Sequence, residues 1–587
     1  MRPRLGLNTV FWLERVGVAL LLVAALVPRV RDFNAPFDRE IEGWQGAFFA
    51  IAAVNYERMG LDAAGGYPVV AIDTMREAEG LSGTHIRIPR EQWLVYANHP
   101  PVVPLIAWAS LVAFGPENWE RAWLEDRAPD GIEPVMRLPF LLFHLLFLWG
   151  LWWAVRQARG AGTAMVALAL AAFTPVLVIY GSLVNYENPS LPLIVLAAGF
   201  HSRWMRDGKR GDLFQFSLCL GLGCAVTWAP LMFLPAFVLA AFGVGKFGRG
   251  GAELLFGGLA CLLAVAGQAF WSGRALESVG QPAASALVRA RELITPMFDG
   301  SLPILEWLGL QGTRAAHWFT LPLLAAALIG VVLLLRAAAR PLPPRQRGRA
   351  PIDIGFPLLL GGLFVLLGFY RHTFDAQHSF MMYAAPGIVV LAATAIEAAA
   401  RPLARLRAGI APVVVLVGSL GLFATQRFNA VRYELRARDA SESARALPAP
   451  ALPLPDVTGR ELASLLPPGS LGLYPSDMGF NLAVSFYAWR SLWPVTGPND
   501  RDWRGVAARF GLDDAPVFLL LPRDPPDGAR AQVEALRASA PGASSPPGLE
   551  AEPGLEAEPA LAPAAGSLPG AGPGSRDGSW TALPLRE

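Results

Sequence analysis

The sequence predicts a mainly α protein: a polytopic membrane helix bundle of about eleven spans with a small extracytoplasmic α/β domain near the C-terminus. Three observations lead there. The first is composition. Of 587 residues, 53% are hydrophobic and 16% charged, with a mean hydropathy of +0.39; a soluble chain carries about 25% charge. The second is a series of apolar runs, among them Val18–Val27, Leu138–Val155 and Leu321–Leu335. The third is the charge of the segments between the runs, which alternates between basic and acidic. The 49 Lys and Arg nearly balance the 47 Asp and Glu. Nothing there forms the basic stripe of a nucleic-acid protein.

The first run follows Arg2, Arg4 and Arg15, and no small-x-small cleavage site comes after it. It reads as a membrane helix with a cytoplasmic N-terminus, not as a removed leader. Spans are expected at 12–29, 136–156, 162–181, 189–204, 213–228, 229–244, 253–272, 319–337, 355–371, 379–398 and 408–425. This parity puts Arg156/Arg159, Arg203/Arg206/Lys209/Arg210, Lys246/Arg249, Arg336–Arg349 and Arg401/Arg405/Arg407 on the cytoplasmic side. It requires two spans within 213–244, turned near Trp228-Ala229-Pro230. It also places the C-terminal region outside. Positive charge is almost all Arg, with Lys only at 209 and 246, and Ala, Gly and Pro are abundant. That bias points to a GC-rich bacterial genome and so to a bacterial plasma (inner) membrane. Cys219, Cys224 and Cys261 all lie in apolar runs without metal-ligand spacing and read as small hydrophobes.

Three regions are expected: a transmembrane domain over 1–425 with a large first exterior loop (30–135), an α/β domain over 426–525, and a tail over 526–587. In the first loop, Pro100–Gly115 is apolar but short for a span and reads as a re-entrant or juxtamembrane helix. The α/β domain should hold helices at 459–466, 480–489 and 501–510, with strands at 471–474 and 517–521. The tail is rich in Pro, Ala, Gly and Ser and is expected to lack structure.

Candidate chemistry lies at the outer ends of spans. Asp38, Glu40 and Glu42 follow the first span, ahead of a helix that carries Trp44, Phe48, Ile51, Ala52 and Met59 on one face and ends at Gly60. Such a helix would lie along the membrane surface. A carboxylate there can deprotonate an acceptor hydroxyl or bind a divalent ion; the plainer reading is ordinary exterior-loop acids. Glu187 sits in the short loop Val184–Pro189, either as a second acid or beside an Asn188 helix cap. His99, before Pro100-Pro101, could bind a phosphate or a sugar hydroxyl, or be structural. Arg371 with His372 and His378 could clamp a phosphate, or Arg371 could be an interfacial anchor. If a divalent metal is used, Asp38, Glu42 and Glu187 are its oxygen donors. There is no P-loop, HExxH, GxSxG or dinucleotide fingerprint, and no line of charge through the spans of the kind an ion-coupled carrier needs.

In order, these motifs resemble the GT-C glycosyltransferases, in particular the bacterial relatives of protein O-mannosyltransferases and the aminoarabinose transferase of lipid A. The resemblance rests on Asp38–Glu42, on Trp44–Gly60, on His99-Pro100-Pro101 running to Phe114-Gly115, on Arg137-Leu138-Pro139, and on Glu187 with Arg203-Trp204. It covers about residues 10–210 well and the rest by topology. The family acid stands about fifteen residues before the helix-ending Gly; here that position is Gln45.

The resemblance implies an integral-membrane transferase that takes a sugar from a polyprenyl-phosphate donor and passes it to an extracytoplasmic glycan, lipid or protein acceptor by inverting displacement. Asp38, Glu40 or Glu42 would act as base. Arg371, and His372 or His378, would stabilise the leaving phosphate. The alternatives are a lipid or polysaccharide transporter and a non-catalytic membrane scaffold.

Overall fold

The structure, a computed structural model, describes residues 7–31, 33–37, 44–61, 66–69, 99–116, 131–243, 247–277, 295, 297, 302–338, 354–374, 378–406, 461–466, 471–475, 491–495, 517–522 and 580–586. The expected span 408–425 and the expected helices 480–489 and 501–510 lie outside the described residues, as do Asp38, Glu40 and Glu42. The chain divides into two compact units.

The first unit is helical. Its elements are α1 (Leu7–Val30), α2 (Trp44–Met59), α3 (Val102–Phe114), α4 (Ile132–Arg159), α5 (Ala161–Phe173), α6 (Pro175–Ile179), α7 (Glu187–Asp207), α8 (Arg210–Val226), α9 (Leu234–Gly243) and α10 (Phe247–Glu277). Then come α11 (Ile304–Phe319), α12 (Leu321–Ala338), α13 (Gly355–Gly368), α14 (Tyr370–Phe374) and α15 (Ala385–Leu406). Short 3-10 turns at Tyr180–Ser182, Ala229–Phe233 and Ser379–Tyr383 join some of them.

One described helix, α4, is by itself long and apolar enough to cross a membrane, and up to three spans result if each bent helix pair counts as one. With 28 residues, α4 is about 42 Å long at 1.5 Å per residue, against about 30 Å of hydrocarbon. It packs on α3, α5 and α7, while α15 packs on α5, α12 and α13. Two of these contacts leave no room for a side chain. A Cβ at Gly362 would stand 2.5 Å from the Tyr383 carbonyl, and one at Gly387 would strike the Leu359 backbone. Close backbone approach of this kind is how helices pack where lipid removes the hydrophobic drive between them.

Several expectations are modified. The span drawn at 162–181 is broken: α5 and the segment Pro175–Ser182 meet at 65°. Thr174, held extended before Pro175 (ψ 126°), forces the break. The span at 319–337 is preceded by a helix, α11, at 105° to α12. The corner is Thr320, buried with φ 63°, a conformation that costs a non-glycine residue. The two-span reading of 213–244 has its turn where expected, between Val226 and Ala229. The helix ending at Gly60 is present, with Gly60 at φ 83° closing α2. It does not lie amphipathically on a surface, since residues 47–56 are buried all round. The spans also hold buried polar groups that no hydropathy profile displays: Arg29, Arg137, His144 and His201 are each at most 2% exposed.

The second unit contains a helix over 461–466 and a four-stranded sheet of β1 (Leu471–Pro475), β2 (Ser491–Val495), β3 (Val517–Pro522) and β4 (Trp580–Arg586), in the order β2-β1-β3-β4. β1 runs parallel to β2 and to β3, and β4 is antiparallel to β3. The expected strands at 471–474 and 517–521 are there. The tail expected to lack structure ends instead in β4. Trp580, Leu583 and Leu585 give that end β-forming character which the averaged composition of the tail hides.

Candidate functional site

A cavity of ≈ 90 Å³ opens in the first unit, lined by residues from five places far apart in the chain. Helix α2 contributes Gln45, Phe48 and Phe49; the approach to α3 contributes His99; the start of α7 contributes Tyr186 and Glu187. Thr227, just past α8, and Ser379, Phe380 and Tyr383 complete the wall.

Each part has a local cause. Phe37 is buried under α2, where Gly46 leaves no space for a Cβ against its ring. Arg137 on α4 donates to the carbonyl oxygens of Phe33 (2.8 Å) and Ala35. Its guanidinium also lies 5.2 Å over the Phe37 ring. Arg137 therefore pins the chain directly ahead of the 38–42 acids. Trp108 Nε1 donates to Glu57 Oε2 at 2.9 Å and ties α3 to α2. Tyr56 donates to the Gly66 carbonyl at 2.7 Å and Asn55 to that of Val69 at 2.8 Å, fixing the residues after α2. Burial, and then the neighbouring Tyr67, pushes the Tyr56 phenol up, so it stays a donor.

At the head of α7 the helix begins with Glu187 in its first turn, where the positive end of the helix dipole favours a carboxylate. The cap is not Asn188, as the sequence suggested. Asn185 Oδ1 accepts the Asn188 backbone N–H at 3.0 Å. Glu187 is 5% exposed, its backbone carbonyl accepts from Ser190 Oγ (3.1 Å), and Ser190 Oγ is 2.9 Å from the Tyr383 hydroxyl. The His99 and Tyr186 rings face each other at 4.2 Å between centroids, and Phe49 meets Tyr186 edge-on at 5.3 Å. One carboxylate among aromatic faces and hydroxyls suits a sugar ring, whose C–H faces stack and whose hydroxyls donate and accept.

None of the expected phosphate-binding trio lines the cavity. Arg371 is exposed on α14 and His372 is half-buried; neither lines the cavity. His378 adjoins the cavity residue Ser379 and accepts a bond from Trp318 Nε1 at 3.1 Å through Nδ1. Its Nε2 therefore carries the proton. Burial, with Arg314 and His317 nearby, lowers His378 to about 4, so it is a neutral donor and not a cation near pH 7. The buried cation on that side is Arg314 of α11. It donates to the Thr373 carbonyl, which also accepts Gln311 Nε2 at 2.8 Å. Sequence reasoning missed Arg314, Thr227 and Tyr383. Only Gln45 carried a signal, as the amide standing where the resemblance expects an acid.

No group of three or more His, Cys, Asp or Glu side chains comes together among the described residues. Glu187 and His99 are two donors on one cavity, which is not by itself a metal centre.

The family model of dolichyl-phosphate-mannose-protein mannosyltransferases matches residues 130–271, the stretch from α4 to α10 that includes Glu187. No curated protein matches by sequence. Among solved structures, the chain is similar to ArnT from Cupriavidus metallidurans bound to undecaprenyl phosphate, with 14% identity, a TM-score of 0.53, and 88% of this chain and 95% of that one covered. It is also similar to the archaeal oligosaccharyltransferase AglB from Archaeoglobus fulgidus, in complex with an inhibitory peptide and a dolichol-phosphate. There the identity is 12%, the TM-score 0.52, and the coverage 88% and 70%. At such identities the likeness is one of fold.

Proposed function

From the GT-C membrane glycosyltransferase fold that this chain carries, we propose that it moves a sugar from a polyprenyl-phosphate donor to an acceptor hydroxyl at the extracytoplasmic face of a bacterial plasma membrane. The observation that carries the reading is the cavity itself: Glu187 and His99 meet there, although they stand 88 positions apart in the chain.

The chemistry is a displacement at the anomeric carbon. The acceptor oxygen bonds to that carbon as its bond to the phosphate oxygen breaks, and the electron pair leaves with the lipid phosphate. The acceptor proton passes to a carboxylate. Glu187 is the described group able to take it; Asp38, Glu40 and Glu42, which follow in sequence the segment that Arg137 holds, remain candidates. The aromatic walls hold the sugar and exclude water. The leaving phosphate is assigned to the side of Ser379, where His378, beside the cavity and not in its lining, offers Nε2–H and the nearby Arg314 a buried charge. If a divalent ion takes part, Glu187 with Asp38 and Glu42 would supply its oxygen donors. The N-terminus is cytoplasmic and the C-terminal region extracytoplasmic, the orientation that the basic turns favour.

The test is sugar transfer in membranes of a deletion strain complemented with wild type or with Glu187→Gln, Asp38→Asn, Glu40→Gln or Glu42→Gln. Loss of transfer by about 10²–10⁴-fold at unchanged protein level is expected for the base, with build-up of a lipid-linked sugar. Gln45 on the cavity wall favours a second reading, a non-catalytic scaffold. That reading takes over if the deletion alters no glycan and no lipid-linked sugar.

A further inference from the structure

A chain of buried polar groups lies behind the cavity wall. Arg29, in the last turn of α1, is 2% exposed. Its Nη1 donates to the carbonyl oxygens of Ala25 and Ala172 (2.9 Å); its Nη2 donates to that of Leu177 (3.0 Å) and lies 3.1 Å from His144 Nε2. A guanidinium has donors only. His144 Nε2 must therefore accept, which leaves the ring proton on Nδ1. Nδ1 stands 3.0 Å from Asn188 Oδ1 and donates to it. That in turn fixes the amide, whose Nδ2 donates to the carbonyl oxygens of Tyr180 (2.8 Å) and Leu183 (2.9 Å).

The direction of every bond follows from the arginine. The turn these bonds hold lies flat against the chain: a Cβ at Gly181 would stand 2.7 Å from Arg29 Nε and 3.0 Å from the His144 ring. Burying a guanidinium is costly unless its donors are used, and here three of its links are backbone carbonyls from separate elements. The turn ends in Tyr186 and Glu187, which line the cavity; Arg29, His144 and Asn188 do not.

We propose that His144 is a positioning residue for Glu187, acting through Asn188, with Arg29 selecting its tautomer. The proposal rests on the reading of Glu187 as a reacting carboxylate. It explains why a histidine stands on the inward face of α4: a side chain with one acceptor and one donor joins a fixed donor, Arg29, to an amide that must present its N–H groups to the turn.

The test compares His144→Phe, which keeps the volume and breaks both links, with His144→Gln. In the latter the side-chain carbonyl replaces Nε2 as acceptor and the amide N–H replaces Nδ1–H as donor. Two readouts are taken on the full chain. One is deuterium exchange of the backbone over 180–190. The other is the rate of sugar transfer as a function of added donor, the donor being the lipid-linked sugar extracted from the deletion strain.

In His144→Phe, exchange over 180–190 should quicken, and kcat should fall by about 10²-fold, the scale of a misplaced group. KM should change by less than about threefold, since the ring touches no substrate. His144→Gln should restore both readouts. If His144→Phe does not accumulate, Asn188→Asp takes its place, keeping the acceptor for Nδ1–H and losing the two donated bonds. Unchanged exchange over 180–190 overturns the proposal. So does quickened exchange with unchanged kcat, or failure of His144→Gln to rescue. If the wild type transfers no sugar, the transferase reading falls, and the exchange result alone decides whether His144 holds the turn.

Discussion

His378 shows how neighbours decide what a residue can do. In the sequence it is one of two histidines beside Arg371. In the structure its Nδ1 is taken by Trp318 and its environment is positive. With a folded pKa of about 4 against an ordinary 6.5, the unfolded chain binds the proton first as the pH falls. His378 therefore costs no stability above pH 6.5 and destabilises the fold progressively from there toward pH 4. The thermal midpoint in detergent should fall over that window, and His378→Gln should flatten that part of the profile. An equal fall in both proteins would assign the acid sensitivity elsewhere. Arg314 was passed over for the opposite reason: one more arginine in a long loop has no local mark. Its significance comes from burial on the inward side of α11 together with Gln311 and Trp307.

Helices set the site by where they end and by how closely they meet. Gly60, the Pro101–Val102 start of α3 and the Gly115 stop were legible because caps and prolines act within a few residues. The cavity wall at Ser379–Tyr383 was not. It rests on Gly362 of α13, where a Cβ would stand 2.5 Å from the Tyr383 carbonyl and 2.6 Å from Ala384 Cα. Gly362→Ala must therefore displace the segment that carries Tyr383. A cost of about 1–3 kcal/mol is expected for such overpacking, read as a lower thermal midpoint together with reduced transfer. Gly221→Ala, where a Cβ meets nothing within 4 Å, is the control and should leave both unchanged.

At the scale of the molecule, the two units raise separate questions. For the sheet unit, β4 is paired to β3 along Val517–Pro522. Deleting residues 580–587 would strip that edge and expose a row of unpaired backbone groups. Faster proteolysis within 455–525 is expected, as is more aggregation of the full chain on detergent extraction; an unchanged digestion pattern would show that β4 does not guard the sheet. For the helical unit, reporter fusions at Gly160 and Gly208 should both be cytoplasmic if the basic turns orient the bundle.

The sequence by itself determined the helical class, several helix ends, and the order of motifs that resembles the GT-C enzymes. It also singled out Glu187 and His99. Each of these rests on local physics: hydropathy over a bilayer's thickness, glycine and proline at helix ends, charge at the turns. The tertiary structure alone decided that Glu187 and His99 share a cavity with Gln45 and Tyr383, and that Arg29, His144 and Asn188 stand behind it. It also decided that Arg371 stands apart from that cavity. These are meetings of residues tens to hundreds of positions apart. They are made by packing and by hydrogen bonds whose direction one buried arginine imposes, and no window along the chain holds both partners.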